Sequence, residues 1–453
     1  MKLKQITLAA ALAVAAPAFA AVSAEEAKQV GSTLTEFGAI KAGNAEGTIP
    51  AYTGGYRGTP AGFKPDSGFW VDPFEADKPL LRIDAKNMAQ HEVKLSEGQK
   101  ALLKANPATY YIDVYPSRRT VAYPDFVLKN TVRNATTCKA GSDNLSIDPG
   151  CAGGMPFPIP KNGYEQMWNQ LVGYRGHNMT TTSANRSWVI DTSGKPTLTS
   201  QQATGLEIPY YQQALSDRDT TFSLRTYSYT TAPARLAGVM TGLLDNIDQV
   251  GKGRRAWSYT PGQRRVKLSP EFSYDTPVAS QGGVTLFDEL FVFSGKMDRF
   301  DFKLVGKKEM YIPYNSYKGT FFCSSEKAIM PKHSNPECER WELHRVWVVE
   351  ATLKPGMRHA YSKRTYYLDE DQTGAGLYDA WDQNGALYRS IFNGWTQLYD
   401  KVQPNANRTV IYDFNKGNYA YVNDVAIGGY KVETPRGDRE MAPEATVARE
   451  TQR

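Results

Sequence analysis

The sequence predicts a mainly β (α+β) protein built on a large antiparallel sheet. Three observations carry this. The chain combines β-forming aromatics with turn formers, at 27 Tyr, 18 Phe and 8 Trp beside 38 Gly and 26 Pro. From about residue 185 onward, short runs of β-formers recur between turn signals, as in Ser187 to Asp191, Phe222 to Thr230 and Ala256 to Thr260. Trp341 to Leu353 alternates, with Trp341, Leu343, Arg345, Trp347, Val349 and Ala351 on one mostly apolar face. Glu342, His344 and Glu350 fall on the other, mixed face.

The neighbouring elements extend the pattern. Lys303 to Tyr314 reads as a strand, and Lys363 to Asp369, Gly376 to Asp382 and Gly385 to Phe392 read as a meander. Asp382-Gln383-Asn384-Gly385 is a hairpin turn, because Asn-Gly tolerates the positive φ such turns need. Tyr259-Thr260-Pro261-Gly262-Gln263 joins 254–260 to 264–268 as a second hairpin.

The N-terminus sets the compartment. Lys2 and Lys4 precede an apolar run from Ile6 to Ala16, then Pro17 and the small-x-small site Ala18-Phe19-Ala20. This is a secretory signal peptide over residues 1–20, with a second cut site after Ala24. The alternative, an N-terminal anchor, needs a longer run than this. No later segment approaches the roughly eighteen apolar residues of a membrane span. The expected location is the periplasm. The formal net charge of +6 is too mild to argue for nucleic acid.

The four cysteines form two local pairs, Cys138 with Cys151 and Cys323 with Cys338. Of three possible connectivities, proximity and an oxidising compartment favour these two disulfides. A four-Cys zinc site is the rival, weakened by the absence of C-x-x-C spacing.

Domain organisation follows composition. Residues 21–135 read as an extended arm with short helices at 25–37 and 96–105, the latter opened by a Ser96/Gln99 capping box. Its aromatics Tyr52, Tyr56, Phe63, Phe69 and Trp70 require burial on the main domain, 136–436. The alternate prolines of Gly153 to Pro160 exclude helix and ladder strand, and a helix follows from about Tyr164 to Tyr174. Residues 437–453 are charged and are expected to be disordered.

Two features suggest binding. Thr285 to Met297 places Leu286, Leu290 and Phe293 at helical spacing, with Phe287 and Phe291 beside them. This is either an ordinary helix on the sheet or a lid over an apolar cavity whose floor includes Trp257, Trp347 and Val349. Arg254, Arg255, Arg264 and Arg265, with Lys252 and Lys267, fall on both arms of one hairpin. They form either a solvated face or a strip that docks an anionic head group or acidic partner.

Catalytic signals are lacking. The five histidines, His91, His177, His333, His344 and His359, lie in no H-E-x-x-H motif, and G-x-S-x-G and phosphate-binding glycine loops are absent. His344 reads as a structural strand residue and Asp369-Glu370-Asp371 as a solvated turn without calcium-ligand spacing. No catalytic residue, cofactor or metal ligand is assigned, although paired carboxylates for glycoside hydrolysis leave no local motif.

Longer segments carry a resemblance. They are Ala42-Gly43-Asn44-Ala45-Glu46-Gly47-Thr48-Ile49-Pro50-Ala51, Asp72-Pro73-Phe74, Val114-Tyr115-Pro116-Ser117-Arg118-Arg119 and Gly153-Gly154-Met155-Pro156-Phe157-Pro158. Trp257 to Val266, Gly306 to Tyr311 and His344 to Glu350 complete the set. With these the chain resembles the periplasmic family of unknown function labelled "outer-membrane lipoprotein-sorting protein", related in fold to the LolA/LolB carriers. The resemblance implies a strongly curved sheet, a half-barrel, around an apolar cavity with lid helices. It implies a carrier or chaperone that holds a lipid, acyl chain or lipoprotein non-covalently. The partners it implies are an outer-membrane barrel protein and an RND-type permease. The chain is about twice the length of a simple Lol carrier and lacks a lipoprotein cysteine, so it departs from the anchored LolB type. A non-catalytic assembly or bridging factor, and an enzyme acting on envelope glycans, are the alternatives.

Overall fold

The computed structural model describes residues 22–176, 178–212, 219–372 and 374–452. The expected signal peptide and His177 lie outside them. Among the described residues, sixteen strands form one sheet. In chain order they are β1 (Leu81–Ile83), β2 (Ile112–Tyr115), β3 (Asn178–Ile190), β4 (Pro196–Glu207), β5 (Phe222–Ala232), β6 (Met240–Asn246), β7 (Arg254–Tyr259) and β8 (Val266–Leu268). There follow β9 (Phe300–Pro313), β10 (Trp341–Leu353), β11 (Lys363–Asp369), β12 (Ala375–Trp381), β13 (Leu387–Leu398), β14 (Gln403–Asp413), β15 (Asn418–Asp424) and β16 (Tyr430–Val432). The α-helices are α1 (Ala24–Ala27), α2 (Glu97–Ala105), α3 (Asp125–Thr137), α4 (Gly163–Leu171), α5 (Ser325–Ala328) and α6 (Pro443–Thr451).

Two meanders make the sheet. One runs from β3 to β8 and the other from β9 to β15, and antiparallel pairing of β15 with β3 joins them. Strands β8 and β9 are the two ends of this run, and among the described residues they do not pair. The sheet is therefore open. The connection between its ends, residues 269–299, crosses one face.

That crossing reports the curvature. Phe287 packs in one cluster with Leu243 of β6 and Ala256 of β7. The next residue, Asp288, accepts from Arg364 of β11 at 2.6 Å. Strands β6 and β11 are eight steps apart in the sheet, or ~38 Å if it were flat. Adjacent residues cannot reach both, so the sheet curls strongly around the connection.

Many expected elements are present. β10 and β11 span the predicted residues, and Gly385 takes φ 79° in the turn between β12 and β13. Ser96 caps α2, with Gln99 completing the capping box. Both disulfides have the expected pairing, at Cα separations of 5.0 Å for Cys138–Cys151 and 6.0 Å for Cys323–Cys338.

Three expectations fail. The helix at 25–37 is a single turn, because Gly31 at φ 83° and bridges from Leu34 to Val30 and Ile40 fold the segment back. The tail is not disordered, since α6 begins at Pro443 and buries Thr446, Val447 and Glu450. Val447 and Met441 pack on Tyr227, Met240 and Trp257, while Glu450 accepts from the Tyr227 hydroxyl at 3.0 Å. Asp369-Glu370-Asp371 is not solvated either, because all three side chains are buried.

Those carboxylates fasten the N-terminal arm. Arg119 holds Asp371 with a two-pronged contact at 2.8 and 2.6 Å and donates to the backbone of Lys41 and Pro50. Arg345 donates to Glu370 at 2.6 Å and to the carbonyls of Ile40 and Ala42. Four of the segments that carry the resemblance meet here: 42–51, 114–119, 306–311 through Lys307 on Glu370, and 344–350.

Beneath these pairs, Asp369 sits 3.5 Å from His344, whose other nitrogen lies 3.1 Å from Glu342. Burial pushes the Asp369 carboxyl up to about 7, with Asp371 adding to the rise and His344 partly offsetting it. A carboxyl raised in the folded state stabilises fully below its unfolded pKa of about 4, and that contribution is lost as pH rises towards 7. The melting temperature of wild type relative to Asp369→Asn should therefore fall between about pH 4 and pH 7, as scanning calorimetry of both proteins will report. A constant difference across that range refutes the assignment.

Candidate functional site

Where the connection crosses the sheet it roofs a cavity of about 280 Å³. The floor comes from strands β3 to β6. Their register places Thr181 opposite Thr204, Thr204 opposite Ser228 and Ser228 opposite Thr241. This is a row of hydroxyls across four strands. They pair along the row, Thr181 with Thr204 at 2.9 Å and Ser228 with Thr241 at 2.8 Å. Next to it a second row, Leu206, Thr226 and Leu243, makes the floor more apolar. The roof comes from Phe272, Val278, Phe287, Leu290 and Phe291, all lining the same space. Phe272 and Phe287 stack with ring centroids 4.7 Å apart.

Charge pairs set the height of the roof. Asp288 and Glu289 are buried and turn away from the cavity into the sheet. Asp288 meets Arg364 at 2.6 Å and His359 at 3.0 Å. Burial opposes its ionisation, but Arg364 and His359 outweigh that and hold the carboxyl well below the usual range. Glu289 accepts from the Tyr361 hydroxyl at 2.6 Å and from the Leu286 backbone at 2.9 Å, with Arg389 at 3.5 Å. Its burial outweighs the pull of Arg389 and raises its pKa. Phe291 is set by different partners. Its carbonyl accepts from Gln170 at 2.7 Å, and the Arg175 guanidinium lies 4.9 Å from its ring centroid. Phe291 and Val292 both take positive φ, at 54° and 72°, which ends the turn and reverses the chain.

The expected lid helix is thus absent. Only a 3₁₀ turn, Phe287–Glu289, forms in this segment. The apolar spacing fits a helix, but the buried ion pairs of Asp288 and Glu289 and the bridge of Leu286 to Pro277 impose an irregular path. Of the predicted lid residues, Leu290 and Phe291 line the cavity. Leu286 is buried outside it, and Phe293 packs on Phe302 and Tyr366 in the main core.

The predicted floor is also displaced. Trp257 packs behind the sheet against Met441 and Val447 of the C-terminal segment. Trp347 is half-buried with the Lys307 ammonium 4.5 Å above its ring, and Val349 belongs to the main core. The basic strip loses one member, because Arg254 is half-buried and paired with Asp245 at 2.6 and 2.7 Å. Arg255, Arg264 and Arg265 are exposed on the hairpin of β7 and β8. The hydroxyl row escaped notice in the sequence. Its signal is the alternation of Thr226, Ser228 and Thr230, which presents one side-chain type to one face.

Among the described residues, His344, Asp369 and Asp371 are the one group with three ligand-type atoms within 4.8 Å of one another. His344 Nε2 pairs with Glu342, Asp369 Oδ1 accepts from the backbone N–H groups of Asp371 and Gln372, Asp371 holds Arg119, and Asp369 Oδ2 lies 3.5 Å from His344 Nδ1. The cluster is an ion-pair network that fastens the arm.

Residues 82–445 match the family model described as "Protein of unknown function (DUF1329)". The chain belongs to the DUF1329 family. The match covers every strand of the sheet but for the first residue of β1, and all the residues that line the cavity. The chain is 39% identical to the uncharacterized protein PA3922 of Pseudomonas aeruginosa, over 88% of this chain and 87% of that protein. A crystal structure of a DUF1329 family protein from Desulfovibrio piger aligns with TM-score 0.40 and 12% identity over 60% of this chain and 91% of that one. The LolA superfamily protein NE2245 from Nitrosomonas europaea aligns with TM-score 0.36 and 8% identity, over 63% and 99% respectively.

Removing the Asp288 charge leaves Arg364 buried without its carboxylate. Asp288→Asn should cost about 3 kcal/mol in urea unfolding, within the range for breaking a buried pair, and should speed amide exchange across 276–291. A loss below about 1 kcal/mol would show that the roof is held by packing alone.

Proposed function

We propose that this protein is an exported periplasmic carrier or chaperone that holds a hydrophobic molecule non-covalently between the sheet and its roof. The observation that carries this reading is the cavity itself, about 280 Å³ under a wall of Phe272, Phe287, Leu290 and Phe291. Its size lies near the lower end of small-molecule sites, about 300–1,000 Å³. Each methylene moved from water to such a wall is favourable by about 0.8 kcal/mol. Carriage needs no acid, base or nucleophile, and the site is read as non-catalytic. The cargo is a lipid, an acyl chain or the acyl part of a lipoprotein. An outer-membrane barrel protein and an RND-type permease are the partners for its delivery.

A second reading rests on the exposed Arg255, Arg264 and Arg265. They offer a docking strip to an acidic partner, as a bridging factor needs. Replacing Arg264 and Arg265 together by Glu should weaken partner capture from envelope extracts, and salt should weaken wild-type capture in the same way. If neither treatment changes capture, the strip is a solvated face.

Carriage is tested by extracting the protein from its own cells and identifying bound small molecules by mass spectrometry. Wild type should yield a lipid in near-stoichiometric amount, and Ser228→Phe, which fills the cavity from its floor, should yield little. A ligand-free wild type, or equal recovery from the filled variant, overturns the reading.

A further inference from the structure

Among the described residues that line the cavity, none is Asp, Glu, Lys, Arg or His. This is unusual for its surroundings. Ion pairs lie on both sides of it, Asp288 with Arg364 buried behind the roof and Arg254 with Asp245, half-buried, past the cavity where β6 pairs with β7. Every one of these charges is turned out of the cavity and paired.

The polar groups that do face the cavity are neutral. Thr181, Thr204, Ser228 and Thr241 each carry a hydroxyl, and these meet in pairs in which either oxygen can donate. Two hydroxyls sharing one hydrogen bond keep a second O–H and further lone pairs. The row therefore both donates and accepts weakly, and it neutralises no charge.

An ion entering such a site loses its hydration and meets no counter-charge. That loss is large even after the surroundings relax. A hydroxyl or ester oxygen entering the same site exchanges water for the hydroxyl row at little net cost. We infer that the cavity selects an uncharged amphiphile, with its apolar chain against the phenyl roof and its hydroxyl or ester oxygen on the Thr/Ser row. Fatty-alcohol and acylglycerol chemistry fit this description, and ionised fatty acids and alkylammonium ions do not. The inference rests on the carrier reading and narrows its cargo to one charge class.

Calorimetric titration of the full chain with four amphiphiles of one chain length tests it: a primary alcohol, the monoacylglycerol, the carboxylate and the alkylammonium. At about pH 8, the alcohol and the monoacylglycerol should bind at least tenfold more tightly than either ion. The carboxylate should gain affinity as pH falls towards about 5, where it is neutralised. Thr204→Val should weaken the alcohol about threefold to tenfold, the share of one hydrogen bond. Thr241→Lys should invert the preference and admit the carboxylate at pH 8. If the carboxylate or the ammonium binds wild type as tightly as the alcohol, the charge selectivity is wrong while carriage stands. If none of the four binds, carriage falls and the selectivity falls with it.

Discussion

The roof depends on one buried ion pair. Asp288 and Arg364 meet at 2.6 Å, and both are buried. A charge that far from water must keep its partner, so the position of Asp288 over β11 is fixed. Its neighbour Phe287 then has to lie against Phe272 and β6. A curled sheet with two open ends gains a defined interior because the segment joining those ends is pinned across it. The pin also sets the distance between roof and floor, and with it the space left for a ligand.

A similar device works at the other end of β11. The arm has little regular structure, yet its backbone carbonyls are held by Arg119 and Arg345, which are held in turn by Asp371 and Glu370. Irregular chain usually stays on the surface because its polar backbone must be satisfied. Here buried guanidinium groups satisfy it, and the arm can cover the face of β10 that carries Arg345. The ionic and apolar parts are thereby separated in space. The charges fasten chain to chain, and the cavity is left to hydroxyls and phenyl rings.

Much of this architecture was legible in the sequence, and the misses have specific causes. The alternation of Trp341 to Leu353 and the Asn-Gly turn before β13 located their elements, because strand period and positive φ are local properties. Local cysteine spacing gave both disulfides. The segment from Leu286 to Phe293 was misread because its apolar spacing suits a helix, whereas its path is decided by Arg364 and Arg389, both more than seventy residues away in sequence. Asp369 to Asp371 looked solvated for the same reason, since the arginines that bury them lie on other elements. The site was half legible. Leu290 and Phe291 stood out as large apolar groups, but Thr204, Ser228 and Thr241 form a row only once three strands are in register. Trp257 and Trp347 misled because a large aromatic in a β-protein has several places to be buried.

The junction of β15 with β3 bears on how the chain reaches this fold. Trp188 donates its indole N–H to Asp424 across a sequence separation of 236 residues. The first meander can form early from local hairpins, but its β3 edge stays unpaired until nearly the whole chain is available. An open strand edge is a template for pairing with another chain, and contacts of such long range form slowly. The two halves therefore meet last at the seam between β15 and β3. Until that seam closes, the two meanders have four free edges between them, at β3, β8, β9 and β15, where the joined run has two.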